Sequence, residues 1–340
     1  MNTEQLGFAF LPELPVSEAT PPKKTPKRKS PEAAAPAALA QDPEAMARVL
    51  EAHPDYRLQR RLQPRLVWPG ETSTSVTRVV VLDTETTGLD SSKDAIIELA
   101  LLRVDIDNVT GLPVGAVQVY DGLEDPGRPI PKEVVALTGL TDADVRGQKI
   151  DEARVLELLS DVDLVIAHNA GFDRPFAEQR MGRFAELRWA CSFADIDWKA
   201  QGRSSAKLES LAQAQGWFYD AHRAEMDCHA LLAVLATQLP KLTHTGLAHL
   251  TKAAQAPSFR LQATMAPFEA KDKLRSRGYR WNAEQRVWHT RIGDADSLQA
   301  EFVWLKEAVY NGRSVKVQVE QLDALTKYSD RPGLITMQAL

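Results

Sequence analysis

Four apolar residues in a row, Val79 to Leu82, run directly into Asp83-Thr84-Glu85-Thr86-Thr87-Gly88. A short apolar run bounded by polar turn residues predicts a strand, here over 78–83. The same reasoning places strands at 95–105, at 114–121 and at 163–167, the last ending in His168-Asn169-Ala170-Gly171-Phe172-Asp173. Helix-like patterning follows over Arg174 to Met181, and a final apolar helix over 225–239. Beyond it, Phe259–Ala263 reads as a strand, Phe268–Arg277 as a helix, and Tyr279-Arg280-Trp281 with Val287-Trp288-His289-Thr290 as a hairpin. Residues 314–340 are too mixed to assign beyond a strand at Val315–Val319. Upstream, Met46, Val49 and Leu50, then Tyr56, Leu58 and Leu62, flanked by Arg57, Arg60 and Arg61, predict one or two helices between Glu44 and Trp68. These would pack on the rest of the chain or on a partner.

The polar positions that end these strands carry the chemistry. Side chains alternate along a strand, so Asp83 and Glu85 share a face while Thr84 points away. Adjacent acids repel unless something positive lies between them. Magnesium and manganese prefer carboxylate oxygens, and two such ions about 3.5 to 4 Å apart clamp both oxygens of a phosphodiester displacement. Alone, the pair also fits two acids solvated in a turn. Two further acids follow later strands and loops: Asp173, and Asp227 in His222-Arg223-Ala224-Glu225-Met226-Asp227. Asp227 falls near the first turn of the last helix and His222 just before it, where an imidazole can swing over whatever the carboxylates hold.

Asp83-Thr-Glu85, His168-Asn-Ala-Gly-Phe-Asp173 and His222-Arg-Ala-Glu-Met-Asp227, in this order, resemble the three signature segments of the DEDDh 3′-to-5′ exonucleases, the family that includes the proofreading epsilon subunits of bacterial replicative polymerases. The resemblance covers roughly residues 76 to 240. It implies that Asp83, Glu85, Asp173 and Asp227 hold two divalent ions, Mg2+ or Mn2+, and that His222 is the general base for the attacking water. Imidazole suits that task because its ordinary pKa lies near the working pH. The resemblance also implies that Thr86, Leu137, Thr138, Gly139, Asn169 and Phe172 contact the terminal nucleotide. From residue pattern alone, Val134 to Thr141 reads equally as an apolar wedge, with Leu137 at its tip, or as a helix capped by Gly139. His168 is not at the general-base position and is expected to be a hydrogen-bonded structural residue at a strand end.

Composition changes the picture in three places. The chain has 340 residues, 44% hydrophobic, enough for one domain of about 150 to 200 residues plus a smaller one. Its two cysteines, Cys191 and Cys228, lie in apolar surroundings without metal-ligand spacing and read as reduced core residues of an intracellular protein; with the family, the expected location is the bacterial cytoplasm, near the nucleoid. No run approaches 18 apolar residues, so no membrane span is expected, and the first residues lack the pattern of a secretory signal. The formal net charge is -5, yet residues 257–291 carry eight Arg and Lys against three acids. Net charge thus hides a basic module. Its aromatics Tyr279, Trp281 and Trp288 read either as stacking platforms for nucleic acid or as the core of a small domain.

Residues 11–45, rich in Pro, Ala, Lys and Glu, predict a disordered linker. The cluster Lys23, Lys24, Lys27, Arg28, Lys29 fits nucleic acid, a nuclear-import-like signal or a merely solvated run. Ahead of it, Gln5-Leu6-Gly7-Phe8-Ala9-Phe10 resembles the short peptides that dock bacterial replication proteins on the sliding clamp, with Gln5, Leu6, Phe8 and Phe10 as anchors.

The expected organisation is a tail (1–45), a helical lead-in (46–75), an exonuclease domain (76–242) with a ribonuclease-H-like α/β fold, its mixed central sheet flanked by helices, and a basic α+β C-terminal module (243–340). The expected activity is metal-dependent 3′-to-5′ digestion of single-stranded or frayed DNA ends, releasing mononucleotides, in proofreading, repair or strand processing, alone or as a polymerase subunit. An RNA-trimming enzyme shares the same residues, and a polymerase- or clamp-associated scaffold fits the tail and the basic module.

Overall fold

The computed structural model describes residues 42–70 and 75–340. The basic cluster at 23–29, the Gln5–Phe10 peptide and residues 11–41 of the expected linker therefore lie outside the described residues, whereas its last four residues, 42–45, cap and open a helix. Two compact units result, the first ending at Tyr56 and the second comprising Arg57–Leu340. In the first, helix Pro43–Glu51 starts with proline at its first position and Asp42 at the N-cap, accepting from the Glu44 amide at 3.0 Å.

In the second unit, the strands in chain order are β1 (Arg60–Arg61), β2 (Val67–Trp68), β3 (Val76–Thr86), β4 (Ile96–Asp107), β5 (Pro113–Leu123), β6 (Leu164–Ala167), β7 (Trp189–Cys191), β8 (Trp217–Phe218), β9 (Ser258–Ala263), β10 (Arg280–Asn282), β11 (Val287–Ile292), β12 (Lys316–Leu322) and β13 (Leu334–Ala339). The second lead-in helix does not form. Residues 58–68 run extended instead, β1 pairing in parallel with β8 and β2 antiparallel with β5. Pro64 lies inside this stretch and Pro69 directly after it, and proline is costly inside a helix. Leu62, whose spacing suggested a helix face, is buried in the core beside Trp217.

The central sheet has order β2-β5-β4-β3-β6-β7. β3, β4 and β5 are antiparallel neighbours, whereas β3, β6 and β7 run parallel, which makes the mixed sheet of a ribonuclease-H-like fold. Both faces are covered, which is why β3 reads as an uninterrupted apolar run. Val79 and Val81 pack with Leu211, Leu231, Leu235, Leu247 and Leu250 from helices on one face. Val80 and Leu82 pack with Val155, Leu158, Phe176 and Ala177 on the other.

The C-terminal sheet is antiparallel, order β10-β11-β9-β12-β13. Its core takes Tyr279, with Trp288 packed at its edge, while Trp281 remains half exposed. The core reading thus holds for Tyr279, and Trp281 packs against Trp288 with 5.6 Å between ring centres. This sheet is tied back to the first. Between β12 and β13 the chain returns to the central sheet, where the Trp189 amide donates to the Ala324 carbonyl at 3.0 Å. Tyr328 enters the apolar cluster beneath β3, and its hydroxyl donates to Asp195. Helix Gly246–Ala253, expected to open the C-terminal module, packs through Leu247 and Leu250 in the central core. Among the described residues no helix is long and apolar enough to cross a membrane.

Candidate active site

Open α/β sheets expose loops at the carboxyl ends of their parallel strands, and ligands gather there. β3 and β6 are parallel neighbours, so Asp83 to Thr86 and His168 to Asp173 emerge side by side. Alternation along β3 then sorts the acids. Asp83 and Glu85 continue the face of Val79 and Val81, which is covered by helix Ala224–Leu235 carrying Asp227. One carboxylate oxygen from each of these three residues lies within 4.8 Å of the other two. Thr84 continues the opposite face, toward helix Ala170–Arg180. There its amide and hydroxyl donate to Asp173 Oδ1 at 3.1 and 2.9 Å. Asp173 therefore reaches the site from the other side of the sheet and stands outside the close trio.

Repulsion and burial are written into the protonation of these groups. Glu85 is pushed up to about 8, first by burial and then by the charges of Asp227 and Glu98. Burial raises Asp173 to about 7 against the opposing bonds from Thr84. Asp83 is raised well above the carboxylate range by burial and by Asp173, Asp227 and Glu85. Asp227 is raised less by burial because Tyr219 Oη, at 2.8 Å, and the amides of His222 and Arg223, at 2.8 and 3.2 Å, donate to it. Carboxylates that keep one another protonated are what a divalent cation relieves, so the donor set fits such an ion.

His222 is exposed at the rim with φ of 63°, an uncommon backbone state for a non-glycine residue, fixed here by its own amide bond to Asp227. The site opens into a cavity of about 790 Å³ lined by the four acids, His222, Thr86, Leu137, Thr138, Asn169 and Phe172 among others. Leu137 is 55% exposed on that wall. Gly139 does not line it. It ends helix Lys132–Thr138 in the left-handed region at φ 75°, where its amide donates to the Val135 carbonyl. The glycine cap therefore forms, and it leaves Leu137 exposed on the cavity wall. Phe172 stacks obliquely on Phe176, 5.1 Å between ring centres. His168 Nδ1 lies 2.7 Å from Ser192 Oγ, and burial holds the ring's pKa down at about 4, so it is neutral at physiological pH.

Several groups escape the sequence. Glu98 on β4 is fully buried directly opposite Glu85, and Arg223 grips it at 2.7 Å while the Ala224 amide donates at 3.0 Å. This pair fixes the start of the helix that carries Asp227. Tyr219 and the half-exposed Phe193 also line the cavity. None follows a motif. They converge from strands and turns that no local pattern connects.

Residues 80–235 match the family described as RNase_T: Exonuclease. The DNA polymerase III subunit epsilon of Treponema pallidum is 27% identical over 191 residues, covering 52% of this chain and 83% of that protein. The PolC-type DNA polymerase III of Thermotoga maritima is 32% identical over 135 residues, 39% of this chain and only 9% of that protein. Among solved structures, Exonuclease X in complex with 5′-overhanging duplex DNA aligns at 25% identity over 46% of this chain and 89% of that one, with a TM-score of 0.35.

Proposed function

We propose that this chain, whose residues 80–235 match the RNase_T: Exonuclease family and resemble the polymerase III epsilon subunit and the PolC-type polymerase, is a 3′-to-5′ exonuclease that removes nucleotides one at a time from the 3′ end of single-stranded or frayed DNA. The observation that carries this is the convergence of Asp83, Glu85 and Asp227 in an open cavity with an exposed histidine at its rim. Asp83, Glu85 and Asp227, with Asp173 behind Thr84, would hold two divalent cations. Bound there, such ions supply positive charge that offsets the acids and the charge developing on the phosphate.

The chain's own residues do the rest. His222 accepts the proton of the attacking water as its oxygen bonds to phosphorus. The bond from phosphorus to the 3′-oxygen of the penultimate nucleotide breaks, that oxygen takes a proton from solvent, and a 5′-mononucleotide leaves. Leu137 and Phe172 pack against the terminal base and sugar, and Thr86 meets the 3′-hydroxyl. Taking the end nucleotide from a duplex requires unpairing it at a cost of a few kcal/mol, less at a mismatch. This favours single strands and mispaired ends, and fits a role in proofreading or repair. DNA rather than RNA is supported by the polymerase relatives.

The test is digestion of matched 5′-labelled DNA and RNA strands with magnesium, manganese or EDTA, beside the Asp83→Asn protein. Metal-dependent shortening of DNA from its 3′ end, lost on substitution by at least about 100-fold, is expected. Equal or faster digestion of RNA would reassign the substrate. No digestion of either strand would remove the enzyme reading.

A further inference from the structure

The C-terminal sheet has one apolar and one polar face. Phe259, Leu261 and Ile292 enter its core. Alternation puts Arg260, His289 and Arg291 on the opposite face, where Arg260 pairs with Arg291 across the strands and Arg280 with His289. Like charges set directly opposite one another weaken a sheet, and only part of this charge is answered. Arg260 donates to Glu320 at 2.9 Å, and the Arg291 guanidinium lies 4.6 Å from the centre of the Tyr328 ring. Arg280 is exposed and forms no ion pair among the described residues. The three charges reach one spot, since after burial they are what hold His289 below its ordinary pKa.

That spot is a cavity of about 590 Å³. Arg260, Arg280, His289 and Arg291 form one wall, and Asn169, Phe172 and Phe193 belong to the other. The same Asn169, Phe172 and Phe193 also line the acidic cavity. An acidic pocket suited to cations and a basic pocket suited to phosphates thus adjoin across two phenylalanines, with Phe193 47% exposed and edge-on to His168 at 5.7 Å.

We infer that this basic cavity is the track for the body of the substrate strand. Resting on the exonuclease reading, the inference places the 3′-terminal nucleotide at the acids, the next nucleotides 5′ of it over Phe193, and their phosphates on Arg280, Arg291 and Arg260. Arginines answer the backbone charge and an exposed ring stacks on a base of any identity, so the track is indifferent to sequence. It lengthens the footprint beyond the one or two nucleotides the acidic cavity holds. Long strands should therefore bind better than short ones, with an affinity that falls as salt rises.

The full chain and its Arg280→Ala and Arg280→Glu variants test this, since Arg280 is exposed and outside the catalytic cavity. Steady-state digestion is compared on DNA strands of about 20 and about 2 nucleotides, above and below the site sizes of single-strand grooves. The expected result is a KM for the long strand raised about 3-fold by Arg280→Ala and about 10-fold by Arg280→Glu, a shallower salt dependence, and unchanged kcat/KM on the short strand. Equal losses on both lengths, or none on the long one, would overturn the track. Fluorescence anisotropy of the labelled long strand reads the track without turnover. If the unsubstituted protein digests neither strand, the activity reading fails by itself, and the track then stands or falls on whether Arg280→Glu weakens that binding.

Discussion

Asp83, Glu85 and Asp227 face one another closely enough, and are buried deeply enough, that each carboxyl is raised above its ordinary pKa. An acid whose pKa is higher in the folded than in the unfolded state binds extra protons when folded, so stability falls as pH rises from the unfolded value to the folded one. For Glu85, raised to about 8, and Asp173, raised to about 7, that window runs from roughly pH 4 to pH 8. The metal-free protein should therefore melt on the order of 5 °C lower at about pH 8 than at about pH 5.5. Millimolar magnesium should restore most of that loss at the higher pH and little at the lower, because protonated acids bind it poorly. Glu85→Gln should flatten the pH slope in EDTA. Calorimetry on both proteins at both pH values checks this, and a magnesium shift independent of pH would mean that the ion is held elsewhere.

Arg174 shows how elements are joined where no pattern is visible. Its side chain is fully buried in helix Ala170–Arg180, pairs with Glu178 at 2.6 Å, and donates to the carbonyls of Leu325 and Lys327 at 2.5 and 2.6 Å. Arg174→Met would strip the Lys327 carbonyl of its donor, while Glu178 and the Leu325 carbonyl would keep Arg331, a loss on the order of 2 kcal/mol, visible as a lower urea midpoint. Activity per folded molecule should survive, since Arg174 does not line the acidic cavity. The segment it binds was unreadable in sequence because the contact is made by backbone carbonyls, which every residue has. β3, β4, β5 and β6 were legible, as long apolar runs are, and so was the hairpin of β10 and β11. Asp83, Glu85 and Asp227 were legible because strand and helix periods fix which way they point. Glu98 was not, because only the register of β3 against β4 sets it opposite Glu85. Of the one or two lead-in helices only the first forms, because Tyr56, Leu58 and Leu62 can mark a helix face but pairing of β1 with β8 takes the chain there.

At the scale of the molecule, the expected boundary at residue 242 meets a second unit that runs from Arg57 to Leu340. Leu247 and Leu250 belong to the core under the central sheet, Tyr328 lies in the cluster on its other face, and Lys327 Nζ donates to the Ala253 carbonyl at 3.0 Å. Chain beyond residue 242 thus helps cover both faces of the central sheet. Two domains joined by a linker unfold separately, whereas elements that share a core unfold together. Thermal unfolding of residues 57–340, followed by circular dichroism and by tryptophan fluorescence, should therefore give one coincident transition. Ending the chain at residue 256 should lower its midpoint by roughly 10 °C or more, because Tyr328 leaves its apolar cluster and Arg174 loses its carbonyls. Two separated transitions, or a truncated chain as stable as the whole, would show that the basic sheet is an appended module. A shared core would also hold the basic cavity rigidly beside the acids, so that the phosphates of an entering strand meet a preformed surface and little binding energy is lost to ordering it.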